Sequence, residues 1–254
     1  MTKISVITAV YNGEKYIRET VESVLSQKGD FELEYIICDG QSTDRTLEIL
    51  DEYRDHCKII SRQDGSPQNA INYGMNSAGG DIACWLNADD IFLPGALNMV
   101  VKAFEKHPGR RWLYGQSCII DSEGQEICRF VSFYKNLIGF FYSWNMLLCE
   151  NFISQPSTFW KLDLWREVKD LDPSYKAAWD YELWLNMARK SRPIHLRKNL
   201  SCFRRHESSI STNNFEKQFD EELEIARKHC SFTHYLIHAF NRWKIVNAYK
   251  IFSR

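Results

Sequence analysis

Polar and acidic side chains recur at the carboxyl ends of apolar runs in the first ninety residues. Thr8-Ala9-Val10-Tyr11-Asn12-Gly13 closes the first run, Asp39-Gly40-Gln41-Ser42-Thr43-Asp44 the second, Asp64-Gly65-Ser66 the third and Asn87-Ala88-Asp89-Asp90 the fourth. Any one of these endings reads equally well as a helix cap, and Asp44 or Thr43 in particular could simply hold the first turn of the helix that follows. Four together bring carboxylates to one rim, and clustered carboxylates repel unless a cation joins them. Mg2+ or Mn2+ is the simplest such cation, because both take carboxylate oxygens and share coordination with substrate phosphates.

The elements that must carry these endings are legible from hydrophobic period. Ile4–Val10, Leu33–Cys38, Lys58–Ser61 and Ile82–Leu86 read as strands, and helical patterns cover Glu14–Gln27, Thr43–Tyr53, Pro67–Ser77 and Pro94–Phe104. Unbroken apolar strands alternating with helices predict an α/β fold with a mostly parallel, Rossmann-like sheet covered on both faces. In such sheets ligands sit beyond the carboxyl ends of the strands. Further on, Trp112–Ile120 and Glu126–Val131 flank the turn signal Asp121-Ser122-Glu123-Gly124 and predict a hairpin. A helix around Ala178–Lys190, a strand around Ile194–Phe203 and two helices over about 214–229 and 232–251 complete the expectation. No Pro/Gly/Ser linker interrupts the chain, so residues 1–212 are expected as one unit, divisible at 107/108, with 213–254 as a helical tail.

Composition narrows the class. The chain has 254 residues, 44% of them hydrophobic, which suffices for a real core, and no internal repeat is visible. A net charge of −1 argues against a nucleic-acid binder. That balance is uneven: Arg227, Lys228, Arg242, Lys244, Lys250 and Arg254 stand in a tail without acids, and the first 226 residues carry −7. A basic tail on an acidic body suggests an anionic neighbour such as a bilayer. The N-terminus reads as a strand rather than a secretory signal, and the longest uncharged run, Asn136–Cys149, is too short to span a bilayer. Eight cysteines without a C-x-x-C pair are read as reduced thiols of a cytoplasmic protein.

Taken in order, these motifs resemble the family 2 glycosyltransferases, which have the nucleotide-sugar-binding GT-A fold. The matching residues are the four strand endings, Gln155-Pro156-Ser157-Thr158-Phe159, Trp179-Asp180-Tyr181-Glu182-Leu183-Trp184, and Arg204-Arg205-His206 with Ser208 and Ser211, over about residues 3–211. The resemblance implies that Thr8 and Tyr11 border the nucleobase, that Asp39 accepts a hydrogen bond from it, and that Asp64 lies near the nucleoside. It makes Asp89 and Asp90 the metal motif, one near the ribose and one on a Mn2+ or Mg2+ ion that bridges the diphosphate. Asp180 would be the general base, and His206 with Arg204 or Arg205 would close over the diphosphate, His206 also reaching the metal. Gln155 and Trp179 would meet the acceptor or sugar, although Gln155 may equally satisfy backbone in a buried turn. Residues 1–107 would then bind the donor and 108–212 the acceptor. The pattern is broken at Asn87, where many relatives have Asp, and at Trp179, which replaces an acid before the base.

The implied reaction is inverting transfer from a nucleotide-diphosphate sugar, UDP-linked by preference, to a hydroxyl of a saccharide or lipid-linked saccharide. The chemistry suits the residue types: the leaving diphosphate needs positive charge, and a poor hydroxyl nucleophile needs a carboxylate to take its proton. Glu182 is the competing base, but positions 180 and 182 point to different sides of a helix. Asp180 could also be no more than a helix cap. A nucleotidyltransferase would need a Gly-rich basic loop where Tyr11-Asn12-Gly13-Glu14 stands, and a catalytically idle scaffold is the reading that Asn87 and Trp179 favour. The aromatic stretch Phe130–Trp160, with Phe140, Phe141, Trp144 and Leu148 on one helical face, reads either as packing against the sheet or as a surface for an apolar acceptor or bilayer. Residues 232–251 read as an interfacial helix, a cover for the body or a dimer contact. A role in surface polysaccharide or glycolipid assembly, peripheral on the inner face of the plasma membrane, completes the expectation.

Overall fold

The structure, a computed structural model, describes residues 1–168, 170–207, 209 and 215–252. Ser208, Ser211 and Arg254 of the expected motifs lie outside the described residues.

One sheet runs through the body in the order β3-β2-β1-β4-β8-β6-β9-β5, with β7 on the side of β6. Its first half is parallel: β1 (Thr2–Val10) lies between β2 (Phe31–Asp39) and β4 (Ile82–Trp85), and β3 (Lys58–Ser61) pairs with β2. Both faces are covered, which is why these strands lack polar alternation. Ile4, Val6 and Val10 face one core with Ile17, Val21 and Val24 of α1 (Ile17–Leu25) and Leu97, Val100 and Val101 of α4 (Ala96–Lys106). Ile7 faces the other with Ala70, Ile71 and Met75 of α3 (Pro67–Ser77). Helix α3 starts where Pro67 follows Ser66, whose hydroxyl accepts from Asn69 N at 3.2 Å. It sits close to the sheet because Gly74 has no side chain; a Cβ there would meet Ile7 Cγ2 at 2.6 Å.

The second half is mixed. β8 (Thr158–Lys161) joins β4 antiparallel, β6 (Trp112–Ile120) joins β8 antiparallel, β9 (Ile194–Arg204) lies parallel to β6, and β5 (Ile91–Phe92) closes the edge on β9. The expected hairpin forms but is shorter than its sequence pattern. β7 is only Glu126–Ile127, Cys128 takes φ 53°, and residues expected to continue the strand enter α5 (Arg129–Phe140). A left-handed residue cannot propagate a strand ladder. Helix α5 ends before the aromatic stretch does. Ser143 caps a separate α6 (Trp144–Cys149) through Met146 N at 3.1 Å, so Phe140 and Leu148 do not share a helix.

Helix α2 (Thr46–Asp51) is also shorter than expected, because the Asp44 carboxylate takes Thr46 N at 3.0 Å and Glu14 N at 3.1 Å instead of entering the helix. The capping reading of Asp44 is thus the one the geometry favours. Helices α7 (Leu162–Glu167) and α8 (Trp179–Lys190) pack under the second half with α9 (Phe215–His229), and α10 (Phe232–Phe252) lies along α6.

The cysteine reading needs one correction. Cys118 and Cys202 are joined as a disulfide, their Cα atoms 4.6 Å apart. They are 84 residues apart in sequence and become neighbours only because the β6–β9 register sets them opposite each other. Cys38, Cys57, Cys84, Cys128, Cys149 and Cys230 are free.

Candidate active site

The carboxyl ends of β1, β2 and β3 open onto a cavity of about 480 Å3 lined by residues including Ala9, Tyr11, Gly40, Gln41, Asp64, Gly65 and Pro67. That volume is in the range of small-molecule sites. Tyr11, 64% exposed, offers a ring face to it. The tight turn under Tyr11 requires Gly13, since a Cβ there would meet Val10 Cγ2 at 2.6 Å. Asp64 lines the cavity with its side chain almost wholly covered, and Arg62 Nε stands 2.8 Å from Oδ1. Burial lifts its carboxyl above the ordinary range, Arg62 pulls it back, and Asp39 adds to the rise.

Two of the residues expected at the base lie behind this wall. Asp39 is fully buried; its Oδ2 accepts from Gln41 N at 3.0 Å, Ser42 N at 3.2 Å and Ser61 Oγ at 2.6 Å, so it shapes the Gly40–Ser42 turn. Thr8 is buried on the opposite face of β1, its Oγ1 3.1 Å from the Tyr35 hydroxyl, and does not line the cavity.

Next along the same edge, the end of β4 carries a second cluster. Asp89 Oδ2 is 2.9 Å from His206 Nε2, and the His206 ring leans on Tyr16 at 4.9 Å. Asp90 is fully buried, with Oδ1 accepting from Arg204 N at 2.8 Å and Oδ2 from Asn87 Nδ2 at 3.0 Å. Burial and the neighbouring Asp89 charge raise its carboxyl well above the ordinary range, against the bonds from Arg204 and Asn87. The other hydrogen of Asn87 Nδ2 goes to Gln155 Oε1 at 3.1 Å, and Gln155 Nε2 donates to Trp85 O at 2.8 Å. Gln155 therefore satisfies buried backbone. The Arg204 guanidinium is also consumed internally. Nε donates to Asp89 O at 2.9 Å, Nη1 to Asp121 O at 3.2 Å, Nη2 to Glu19, and the plane lies over the Tyr16 ring at 4.7 Å. Its charge is paired with Glu19 and buried.

Among the described residues no three His, Cys, Asp or Glu side chains are grouped to hold a metal ion. Asp90 has both oxygens engaged within the protein, while Asp89 and His206 face each other nearer the surface. Two protein ligands, with the remaining positions left to phosphate oxygens and water, still suit Mg2+ or Mn2+.

Asp180 lies in the first turn of α8, half-buried, with Oδ1 accepting from Tyr181 N at 2.7 Å. Burial lifts its carboxyl to about 6, against that bond and the Lys135 charge. Trp184, one turn on and on the same helix face, is stacked between Trp85 at 5.8 Å and Trp112 at 6.2 Å. That stack fixes the middle of α8 against the sheet at β4 and β6. Trp179, half-buried, packs against the same core.

Two residues invisible to motif reading hold this helix. Glu221 of α9 accepts from Lys176 N at 2.8 Å, Ala177 N at 2.8 Å and Ala178 N at 3.1 Å, satisfying the donors ahead of α8. Glu222 is buried beside Asp180, bonded to Asn151 Nδ2 at 3.3 Å and Gln218 Nε2 at 3.1 Å; burial and then the Asp180 charge push it up to about 8. Only their spacing of four and three residues from Ile225, on the buried face of the helix, could have flagged them.

Known proteins resemble this chain in sequence and in fold. The profile described as Glycosyl transferase family 2 matches residues 5–126. A chondroitin synthase of Escherichia coli is 27% identical over 242 residues, 90% of this chain and 32% of that protein. The chain spans about a third of the length of the first curated relatives it matches. S. aureus TarS in complex with UDP-GlcNAc superposes with a TM-score of 0.69 at 20% identity, covering 94% of this chain and 72% of that one. The mannosyltransferase PcManGT of Pyrobaculum calidifontis, with GDP-Man and Mn2+, gives 0.71 at 16% identity over 91% of this chain and 65% of that one. At those identities the structural likeness establishes the fold, which is GT-A. The profile match covers the half of the chain that carries the β1–β4 endings, and the structural likeness extends the GT-A fold over nearly all of it.

Proposed function

We propose that the chain transfers a sugar, with inversion, from a nucleotide-diphosphate sugar to a hydroxyl of a saccharide acceptor. The observation that carries this reading is the cavity at the β1–β3 ends, on the same sheet edge as the Asp89–His206 pair. The cavity takes the nucleoside, with Tyr11 against the base and Asp64 beside the ribose. A UDP-sugar is favoured, in keeping with the UDP-GlcNAc bound by TarS. A Mg2+ or Mn2+ ion held by Asp89 and His206 would act as a Lewis acid on the leaving diphosphate; PcManGT is described with Mn2+.

Asp180 accepts the proton of the acceptor hydroxyl as its oxygen bonds to the anomeric carbon. The bond from that carbon to the diphosphate oxygen breaks on the opposite face, the electron pair leaves with the nucleoside diphosphate, and the carbon inverts. A carboxylate with its pKa near 6 is still ionised at neutral pH and is a stronger base than an ordinary aspartate. The reading extends to assembly of a surface polysaccharide or glycolipid on the inner face of the plasma membrane, supported by the basic tail.

The test is Asp180→Asn, assayed for UDP release from UDP-sugars with Mn2+ and for donor binding by calorimetry. The variant should bind donor normally and turn over about 10²–10⁴-fold more slowly. Equal rates would remove Asp180 as the base, and a wild type that binds no nucleotide sugar would leave the idle-scaffold reading standing.

A further inference from the structure

The solvent faces of α5 and α10 are more apolar than a solvated helix requires. On α5, Phe130 is 79% exposed, and Phe133, Leu137 and Phe140 follow on the same face with Phe141 just beyond the last turn. On α10, Phe232, Leu236, Phe240 and Trp243, the last 60% exposed, form one stripe. That stripe is opposite the face that docks on the body. His238 Nδ1 is 2.9 Å from Leu148 O, Asn241 Nδ2 donates to Cys149 O at 3.2 Å, and Val246 is buried. The stripe is therefore not needed to hold α10 in place.

The two faces meet. Lys244, beside Phe240 on α10, reaches the Tyr134 hydroxyl of α5 at 3.4 Å and lies over its ring at 5.7 Å. Neither helix contains an Asp or Glu, while Arg129, Lys135, Arg242 and Lys244 are carried on them and Arg197 of β9 lies over the Phe140 ring at 3.8 Å. Arg129 and Arg242 pair with Glu126 and Asp220 of neighbouring segments, which leaves the charges of Lys135, Lys244 and Arg197 beside the clustered Phe, Leu and Trp, a combination that matches the interface of an anionic bilayer. A protein partner of ordinary composition would not explain the missing acids, and no helix among the described residues is long and apolar enough to cross a membrane.

We propose that α5 and α10 together form a docking surface for an anionic phospholipid bilayer, with the aromatic side chains in the headgroup region. Lys135, on the flank of α5, acts electrostatically on Asp180, so docking would hold the catalytic half close to the lipid surface. This deepens the functional reading and rests on it only for the consequence that the acceptor is lipid-linked.

The experiment is flotation of the full chain with phosphatidylcholine vesicles, with and without phosphatidylglycerol, using no donor. Wild type should float with the anionic vesicles and not with the neutral ones. Phe133→Asp/Phe140→Asp on α5 and Phe240→Asp/Trp243→Asp on α10 should each weaken partitioning about tenfold or more, with circular dichroism unchanged and UDP release to a soluble acceptor retained. Wild type that does not float overturns the proposal, as does undiminished flotation of both pairs. A dimer in light scattering that either pair converts to monomer, without vesicle binding by wild type, assigns the face to a second copy instead. Vesicle binding without any transferase turnover would sink the enzymatic reading and leave the surface intact.

Discussion

Arg204 shows how a motif residue can keep its place and change its role. The sequence pattern sets it beside His206 as a diphosphate ligand, yet its guanidinium contacts Glu19, Asp89 O, Asp121 O and the Tyr16 ring. It is the internal tie between β9, the β4 ending and α1. Arg204→Ala is therefore expected to cost about 1–3 kcal/mol in urea unfolding, the scale of buried carbonyls left without their donor, since Glu19 is half exposed and can be rehydrated. Lys would restore little of it, since it lacks the planar fork. A diphosphate-binding Arg204 would behave differently, with unchanged stability and a raised donor KM. The same sorting applies to the carboxylates: Asp39 and Asp90 are engaged by the protein itself, Asp64 sits covered in the cavity wall beside Arg62, and Asp89 and Asp180 remain partly exposed.

Helix α8 carries the proposed base, Asp180, and it is held at two points. The Trp85–Trp184–Trp112 stack fixes its middle against the sheet. At its N-terminus, Glu221 supplies from α9 the cap that the local residue, Ala178, cannot supply. Glu221→Ala should lower stability by about 0.5–2 kcal/mol and lower kcat more than it raises KM, because the first turn carrying Asp180 loosens while the donor cavity is untouched. Steady-state kinetics beside denaturant midpoints check both. A fall in KM-limited donor binding with kcat intact would contradict the positioning role.

For the molecule as a whole, buried acids make stability depend on pH in an unusual direction. Burial raises Asp180 from its ordinary 3.8 to about 6 and Glu222 from 4.5 to about 8. The folded chain then binds more protons than the unfolded one across that window, so this contribution is present below the ordinary carboxylate pKa and is lost as pH rises through the folded values. Unfolding midpoints in urea should therefore fall between pH about 5 and about 8. Glu222→Gln should flatten the upper part of that slope. A wild-type midpoint that rises over the same interval would rule out the protonated carboxyl next to Asp180.

Much of this was legible from local residue patterns. The apolar runs of β1, β2 and β4 and the Ser66-Pro67 start of α3 depend on hydrophobic period and capping, which act within a few residues. The order of Tyr11, Asp64, Asp89, Asp180 and His206 along a βα framework also sufficed to point to the family. What local pattern could not settle were quantities that depend on contacts far apart in sequence. The late start of α2, where Glu14 N reaches Asp44, the Cys118–Cys202 bond and the recruitment of Glu221 and Glu222 all follow from partners brought close by sheet register or helix docking. Whether an aspartate faces a ligand or its own backbone is likewise decided by which donors the tertiary fold places around it. The residue types set what chemistry was available, and burial in the folded chain determined which of those groups remained to perform it.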